Sequence, residues 1–111
     1  MPGIQESELI SITTTVGRAD DAHRLAEELL SRRLAACVQV EEGLQSHYRW
    51  QEKTCTDAEW RLTIKTVAAR LPALEAFMDA EHPYELPQWL WQPQGASAAY
   101  AAWVREQVDA A

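Results

Sequence analysis

Two prolines stand four residues apart in the stretch Ala80-Glu81-His82-Pro83-Tyr84-Glu85-Leu86-Pro87-Gln88. Proline lacks a backbone donor and breaks helices, so neither a helix nor an inner strand can continue through this stretch. The residue before each proline is driven to extended geometry. We therefore predict a stiff loop that holds His82, Tyr84 and Glu85 in set directions, which is a common setting for function. The simpler alternative is that the prolines only end one helix and direct the next strand.

The segments on either side of this Pro loop (residues 82–88) have clear periodicities. Before it, apolar residues at helical spacing predict a helix with Pro72 in its first turn; they are Leu71, Leu74, Phe77 and Met78. After it, Gln88–Gln92 reads as a short strand. Ser97 can then cap a last helix. Four residues of that helix are expected to face inward: Tyr100, Trp103, Val104 and Val108.

The first half of the chain reads as a strand, a helix and a long hairpin. Glu8–Val16 is rich in β-branched residues and predicts a strand. A helix follows, with Asp20 or Asp21 as its cap and an apolar stripe running to Leu34. The chain is extended again from Ala35, and Gly43 marks a bend or bulge. Alternating residues in 46–51 and 58–66 predict the hairpin strands, with 53–57 as a polar turn.

This order of elements predicts an α+β fold of the ferredoxin-like type, β-α-β-β-α-β, with an extra strand or helix at the C-terminus. A chain of 111 residues is expected to form one domain. We place its core at residues 8–108 and expect 1–7 and 109–111 to be loose.

Charge and composition exclude several classes of function. The formal net charge is −7, and no basic cluster is longer than Arg32-Arg33. Nucleic acid and anionic membranes are therefore not expected partners, because both require a basic surface. The N-terminus does not resemble a signal peptide and no apolar run is long enough to span a membrane. The two cysteines, Cys37 and Cys55, lack the spacing of a metal finger or redox pair. We expect a cytoplasmic protein with reduced thiols.

Several short motifs, in this order and spacing, resemble the CutA family of divalent-cation-tolerance proteins. They are Leu34-Ala35-Ala36-Cys37, Tyr48-Arg49-Trp50, Glu59 with Lys65-Thr66, His82-Pro83-Tyr84-Glu85 with Pro87, and Tyr100 with Trp103. Each motif is weak alone, and together they extend over most of the chain.

The resemblance implies a homotrimer of ferredoxin-like subunits that pair strands of the long hairpin and the strand after the Pro loop. Bare edges of long strands promote aggregation, and a closed assembly would remove them. Aromatic residues are enriched at interfaces. We therefore expect four of them to lie at the trimer interface: Tyr48, Trp50, Trp89 and Trp91.

The resemblance also implies a role in tolerance of divalent ions such as copper. In metal-binding relatives the proposed ligands are a Cys near the end of the first strand and a His-His pair before Pro-Tyr. Here these positions are Thr14, Glu81 and His82. Copper prefers imidazole and thiolate, so this set predicts weak cation binding by His82 and Glu81. We expect no required cofactor, and a divalent cation such as copper is the candidate ligand.

Two other functions remain open for this sequence. A cleft lined by Glu59, Lys65, His82 and Tyr84 would suit a small-ligand sensor of the type found in PII signalling trimers, or an enzyme. The same residues could instead form an ion pair or hydrogen-bonded cluster that stabilises the trimer. No catalytic triad, phosphate-binding glycine loop or dinucleotide fingerprint is present in the sequence, so a non-enzymatic protein is the leading hypothesis.

Overall fold

The computed structural model describes residues 8–109, and the predictions for 1–7, 110 and 111 lie outside this part of the chain. This part contains four strands and three α-helices. In chain order they are β1 (Leu9–Val16), α1 (Ala19–Ser31), β2 (Cys37–Trp50), β3 (Lys53–Val67), α2 (Leu71–Glu81), β4 (Leu90–Pro93) and α3 (Ala98–Val108). A 3-10 turn, Ala68–Arg70, joins β3 to α2.

The four strands form one antiparallel sheet in the order β2-β3-β1-β4. This order and the positions of α1 and α2 confirm the predicted α+β fold with a ferredoxin-like arrangement. β2 and β4 are the edge strands of this sheet, so each has one side that pairs with no other strand among residues 8–109. β2 is 14 residues long and β4 is 4 residues long, so the unpaired side of β2 is the longer of the two.

The two faces of the sheet have separate cores. Alternate residues of a strand point to opposite faces, and Ile12, Leu62 and Ile64 point to the face that α1 and α2 cover. On the other face, which we call the α3 face, Val104 and Val108 of α3 pack against Leu9 and Val67. We find α3 over only one end of that face, because the residues it buries lie at the start of β1 and the end of β3.

The hairpin differs from the predicted one in the position of its turn. Residues 53–57 belong to β3, and the turn is Gln51-Glu52, which joins β2 and β3 directly. Both turn residues have positive φ, 50° and 68°. Two successive positive φ values give the tight turn that matches strand twist, so the polar residues after it can continue as strand. Gly43, with φ 83°, marks the predicted bulge, where the register of β2 shifts.

The start of α1 also differs from the prediction. Its N-cap is Arg18, which makes no side-chain capping bond, so neither Asp20 nor Asp21 is the cap. Both aspartates lie in the first turn, where a negative charge is stabilised by the helix dipole. Asp20 pairs with Arg18 at 3.8 Å and Asp21 pairs with Arg24 at 3.4 Å.

The last helix begins as predicted, but two of its aromatic residues face outward. The Ser97 hydroxyl accepts the backbone N–H of Tyr100 and caps α3. Tyr100 and Trp103 are 40% and 42% exposed, which corrects the expectation that they face inward. The sheet contacts of α3 are made by small and β-branched residues, and the two rings stack on each other with centroids 5.6 Å apart.

Two arginines hold the C-terminal end of α3. Arg33 donates to the carbonyl of Gln107 at 3.1 Å, and Arg70 donates to the carbonyl of Val108 from Nε at 2.9 Å and also from its Nη2. The last carbonyls of a helix have no intrahelical partner, so these bonds complete its end. Within residues 8–109, we find no helix with both the length and the apolar character needed to cross a bilayer.

The position of the turn can be tested with Gln51→Asn/Glu52→Gly, because Asn-Gly favours two positive φ angles. We expect this variant to raise the free energy of unfolding by about 1 kcal/mol in a urea titration. Asp57→Gly is the control at a position that the structure places in β3, and it should lower stability, because glycine weakens a strand. A destabilised turn variant together with a neutral Asp57→Gly would contradict this assignment.

Candidate functional site

His82 follows α2 and sits at the first turn of the Pro loop, where it joins three parts of the fold. Its Nε2 lies 3.0 Å from the hydroxyl of Thr14 in β1, and its Nδ1 lies 3.1 Å from the backbone nitrogen of Tyr84. The extended geometry before Pro83 turns the imidazole back onto the sheet. Thr14 is fully buried, and His82 is half-buried.

These two bonds determine the tautomer of His82. A backbone N–H can only donate, so Nδ1 must accept the bond from Tyr84, and the ring proton is on Nε2 and donates to Thr14. Protonation of Nδ1 would break the bond to Tyr84. Burial lowers the pKa of His82 below its usual value of 6.5. The ring is therefore a neutral structural link near pH 7.

Tyr84 extends from the Pro loop to the α3 face of the sheet. Its hydroxyl donates to Oε2 of Glu59 at 2.7 Å. A Cβ atom at Gly17 would lie 3.3 Å from this hydroxyl, so the absence of a side chain there leaves room for Tyr84 to pass the end of β1. Burial raises the pKa of Tyr84, and the carboxylate of Glu59 raises it further. The phenol is therefore a proton donor and not a base.

Glu59 is a buried carboxylate without a cationic partner. It is 8% exposed, and among residues 8–109 no lysine, arginine or histidine nitrogen lies within ion-pair distance of it. Its hydrogen bond is the one from Tyr84. A carboxylate that is removed from water and not paired costs free energy, so this position requires an explanation.

Glu81 is adjacent to His82 but points elsewhere. Its carboxylate pairs with Arg24 of α1 at 3.0 Å, and the same guanidinium donates to the Glu81 carbonyl. Arg24 therefore fixes the end of α2 to α1 and holds the carboxylate of Glu81 as its counterion. A cation that used both His82 and Glu81 would have to displace this arginine.

The metal-ligand positions that the family resemblance implies come together in part. Thr14 and His82 are in contact, as their positions in the family pattern imply, while Glu81 is engaged with Arg24. Within the described residues, no three side chains from His, Cys, Asp and Glu converge as a metal centre. This donor set of one imidazole, one hydroxyl and one paired carboxylate does not fit a complete copper centre within one chain.

A cleft of about 890 Å³ opens between the hairpin and the Pro loop. Glu59 and Tyr84 line it, together with Tyr48, Trp50 and Asp57 from the outer half of the hairpin. The hydroxyl of Tyr48 donates to Asp57, and this bond raises the pKa of Tyr48 to about 12. Two tyrosine–carboxylate pairs therefore stand on neighbouring positions of one sheet face.

Lys65 is not part of this cleft in a single chain. It lies six residues from Glu59 along β3, or about 20 Å at the rise of a strand. It is half-buried and lies opposite Ser11 and Cys37 in the sheet. Of the four predicted cleft residues, Glu59 and Tyr84 are in direct contact. His82 is joined to them through the backbone of Tyr84, and Lys65 lies apart.

The four aromatic residues predicted at a trimer interface divide into two groups. Tyr48, Trp50 and Trp91 are 41%, 39% and 42% exposed. Trp89 is half-buried, packs against the core under α1 and α2, and donates to Glu75 at 3.3 Å. The three exposed rings lie on the edge strands β2 and β4.

Sequence reasoning missed two residues that shape the site, Arg24 and Gly17. Arg24 gave no local signal, because its contact with Glu81 joins residues 57 positions apart. Gly17 directly follows the predicted strand Glu8–Val16. A signal for Gly17 existed, because a glycine directly after a β-branched strand often marks a close approach.

The chain is matched over residues 10–107 by the family described as CutA1 divalent ion tolerance protein. It is 36% identical over 96 residues to the divalent-cation tolerance protein CutA of Thermus thermophilus. This match covers 86% of this chain and 93% of that protein. It is 37% identical over 97 residues to protein CutA 1, chloroplastic, of Oryza sativa, where the match covers 86% of this chain and 55% of that protein. The chain thus spans about half the length of this plant relative.

Solved structures agree with these sequence matches. The structure of the Thermus thermophilus divalent cation tolerance protein superposes with a TM-score of 0.88 at 34% identity, covering 91% of this chain and 99% of that one. CutA1 from Oryza sativa superposes with a TM-score of 0.88 at 34% identity, covering 94% and 96%.

The Tyr84–Glu59 bond can be tested with Tyr84→Phe. This change leaves a buried carboxylate without its donor, and we expect it to lower the free energy of unfolding by about 1–3 kcal/mol. Tyr100→Phe is the control, because it removes the same hydroxyl from an exposed ring on α3 and should cost less than about 0.5 kcal/mol. Urea titrations at one protein concentration measure both. Equal losses in the two variants would contradict the importance of burial at Glu59.

The state of His82 predicts a dependence of stability on pH. Its pKa is lowered in the folded chain, so the unfolded chain takes up a proton first as the pH falls below about 6.5. The contribution of His82 to stability should therefore fall from pH 7 towards pH 5 and level off below its folded pKa. Thermal midpoints of His82→Gln should fall less steeply over this range than those of the wild type. His23→Gln, which removes an exposed imidazole, is the control, and an unchanged slope in His82→Gln would refute this account.

Proposed function

This chain belongs to the CutA1 divalent ion tolerance protein family, and we propose that it works as a homotrimer in the response of cells to divalent metal ions such as copper. The observation that carries the proposal is the family match over residues 10–107, which includes the Pro loop and both strands of the hairpin. We place the protein in the cytoplasm and give it no enzymatic reaction.

The free edges and exposed rings support the trimer. Within the described residues, β2 and β4 each have one side that pairs with no other strand. Long bare edges promote unwanted association unless an assembly covers them. Tyr48 and Trp50 stand near the end of β2 and Trp91 stands on β4, all about two-fifths exposed. Pairing β2 of one subunit with β4 of the next would cover both edges and bury these rings, and three such contacts close a ring.

We propose that the divalent ion is a weakly bound cargo at His82 and Glu81. The imidazole would supply one nitrogen ligand, and Glu81 would supply an oxygen ligand after it leaves Arg24. The hydroxyl of Thr14 is a weaker donor than the Cys that the family pattern has there. Weak binding is the expected consequence, because the ion must compete with an existing ion pair and with the bond from His82 to Thr14.

A small-ligand sensor is a second candidate, and the cleft is the observation that favours it. About 890 Å³ is a volume that suits a metabolite. Its lining includes the carboxylates of Asp57 and Glu59, whose negative charge would disfavour a nucleotide phosphate. The hydroxyls of Tyr48 and Tyr84 already donate to these carboxylates. An enzyme using this cleft has less support, because Tyr84 with its raised pKa is a poor base and His82 has both nitrogens engaged.

Native mass spectrometry with about one equivalent of Cu(II) per chain tests the proposed trimer and its cargo. We expect a trimer that carries copper in the wild type, in His47→Ala and in Cys55→Ser. Copper should be lost in His82→Ala. Arg24→Gln should retain copper more tightly than the wild type, because it frees the carboxylate of Glu81.

The controls separate the proposed ligand from adventitious ones. His47→Ala removes an exposed imidazole on the hairpin, and Cys55→Ser removes a half-buried thiol near its tip. Copper that disappears with Cys55→Ser, or that survives His82→Ala, would overturn the assignment of the ligands. A monomeric wild type would overturn the assembly.

A further inference from the structure

The α3 face of the sheet holds a negative charge and a positive charge that cannot meet within one chain. Glu59 is 8% exposed and has no cationic partner among the described residues. Lys65 lies on the same face of the same strand, half-buried, about 20 Å away. A lysine side chain is much shorter than this distance. Each charge is withdrawn from water without its counterion, which is costly for both.

The other cations of the chain do not fill the position opposite Glu59. The chain has ten Lys and Arg residues, and all lie in the described part. Seven of them have partners elsewhere: Arg18, Arg24, Arg32, Arg33, Arg61, Arg70 and Arg105. The other three are Arg49, Lys53 and Lys65, and the first two are exposed on the outer part of the hairpin. Of these three, Lys65 is the cation that is half-buried and has no counterion among the described residues.

We propose that Lys65 of a second copy of this chain enters the cleft and neutralises Glu59, so that the cleft is complete only between two subunits. This inference rests on the homotrimer proposed above and names the contact that the trimer makes at this site. The cleft is open next to Glu59, and its carboxylates at Asp57, Glu59 and Glu85 outnumber its cation, Arg49. A cation from outside therefore finds complementary charge there.

The part of the α3 face around Glu59 is also accessible to a second subunit. α3 covers the end of the face that holds Leu9 and Val67, and no helix among residues 8–109 covers the end that holds Glu59 and Asp57. In a ring each subunit offers one surface to the next subunit and receives a different one. Glu59 of one chain would thus pair with Lys65 of its neighbour, and every subunit would supply one charge to each of two contacts.

The hydroxyl of Tyr84 gives this ion pair a fixed geometry. It donates to Oε2 of Glu59, and this leaves Oε1 as the oxygen that can receive the ammonium group of Lys65. A buried ion pair needs such additional hydrogen bonds to offset the loss of water. Tyr84 is thus a positioning residue, and the Pro loop that carries it becomes part of the contact between subunits.

Mixing two charge-reversal variants tests this contact. Glu59→Lys and Lys65→Glu each place like charges at every contact of their own homotrimer. In a mixed trimer, the contacts between unlike chains again join opposite charges. If the two variants mix at random, about three quarters of the trimers contain both kinds of chain. When the variants are unfolded and refolded together, we expect native mass spectrometry to find more than about nine tenths of the trimers mixed in this way. A pair within one chain would not be restored by mixing.

Two controls make the outcome decisive. Mixing Glu59→Lys with Arg49→Glu should give the random distribution, because Arg49 is not the proposed counterion. If a charge reversal prevents folding, Glu59→Gln and Lys65→Met form a neutral double-mutant cycle read by the thermal midpoint of the trimer. We expect each single change to lower the thermal midpoint. The midpoint of the double variant should be no lower than that of the less stable single variant.

The possible results separate this inference from the proposal beneath it. A wild-type trimer with random mixing of the charge variants, or with additive midpoint losses in the neutral cycle, overturns the Glu59–Lys65 contact and leaves the trimer intact. Enrichment with Arg49→Glu in place of Lys65→Glu overturns the choice of Lys65. A monomeric wild type overturns both the contact and the assembly.

Discussion

A chain of hydrogen bonds from Thr14 through His82 and Tyr84 to Glu59 connects the two faces of the sheet. It begins on the face that α1 and α2 cover and ends on the α3 face, and it passes the end of β1 at Gly17. The Pro loop has no strand or helix of its own between His82 and Gln88. These side-chain bonds therefore hold the loop in place, and the cleft, the position of Glu59 and the start of β4 all depend on them.

These hydrogen bonds also show how this protein departs from the family pattern at its proposed metal site. The pattern places a thiol at the position of Thr14 and a second imidazole at the position of Glu81. Here the hydroxyl accepts a bond from His82, and Glu81 is engaged by Arg24. At both positions, the side chain that could bind an ion is bound instead to another residue of the protein. A bound ion would therefore have to displace contacts that hold β1, α1 and the Pro loop together.

Local patterns in the sequence were sufficient for most of the fold. The helical spacing in α1 and α2, the β-branched run of β1, the bulge at Gly43 and the cap at Ser97 each depend on neighbouring residues, and the structure confirms them. The turn at Gln51-Glu52 was missed because neither residue is a usual choice for positive φ. Tyr100 and Trp103 were placed inward because size and apolarity do not reveal how little space α3 leaves against the sheet. In the site, Thr14 and His82 came from the family pattern, whereas Arg24 with Glu81, 57 positions apart, had no local signal.

The pairing of β1 with β4 has a consequence for the order in which the protein folds. The β2–β3 hairpin joins neighbours through a two-residue turn, and such hairpins form within microseconds. β4 meets β1 across some eighty intervening residues, and the bond from Thr14 to His82 spans 68. Contacts between residues so far apart in sequence carry a large loop-closure entropy and form late. The hairpin is thus a candidate nucleus, and the Pro loop docks only after both ends of the chain have come together.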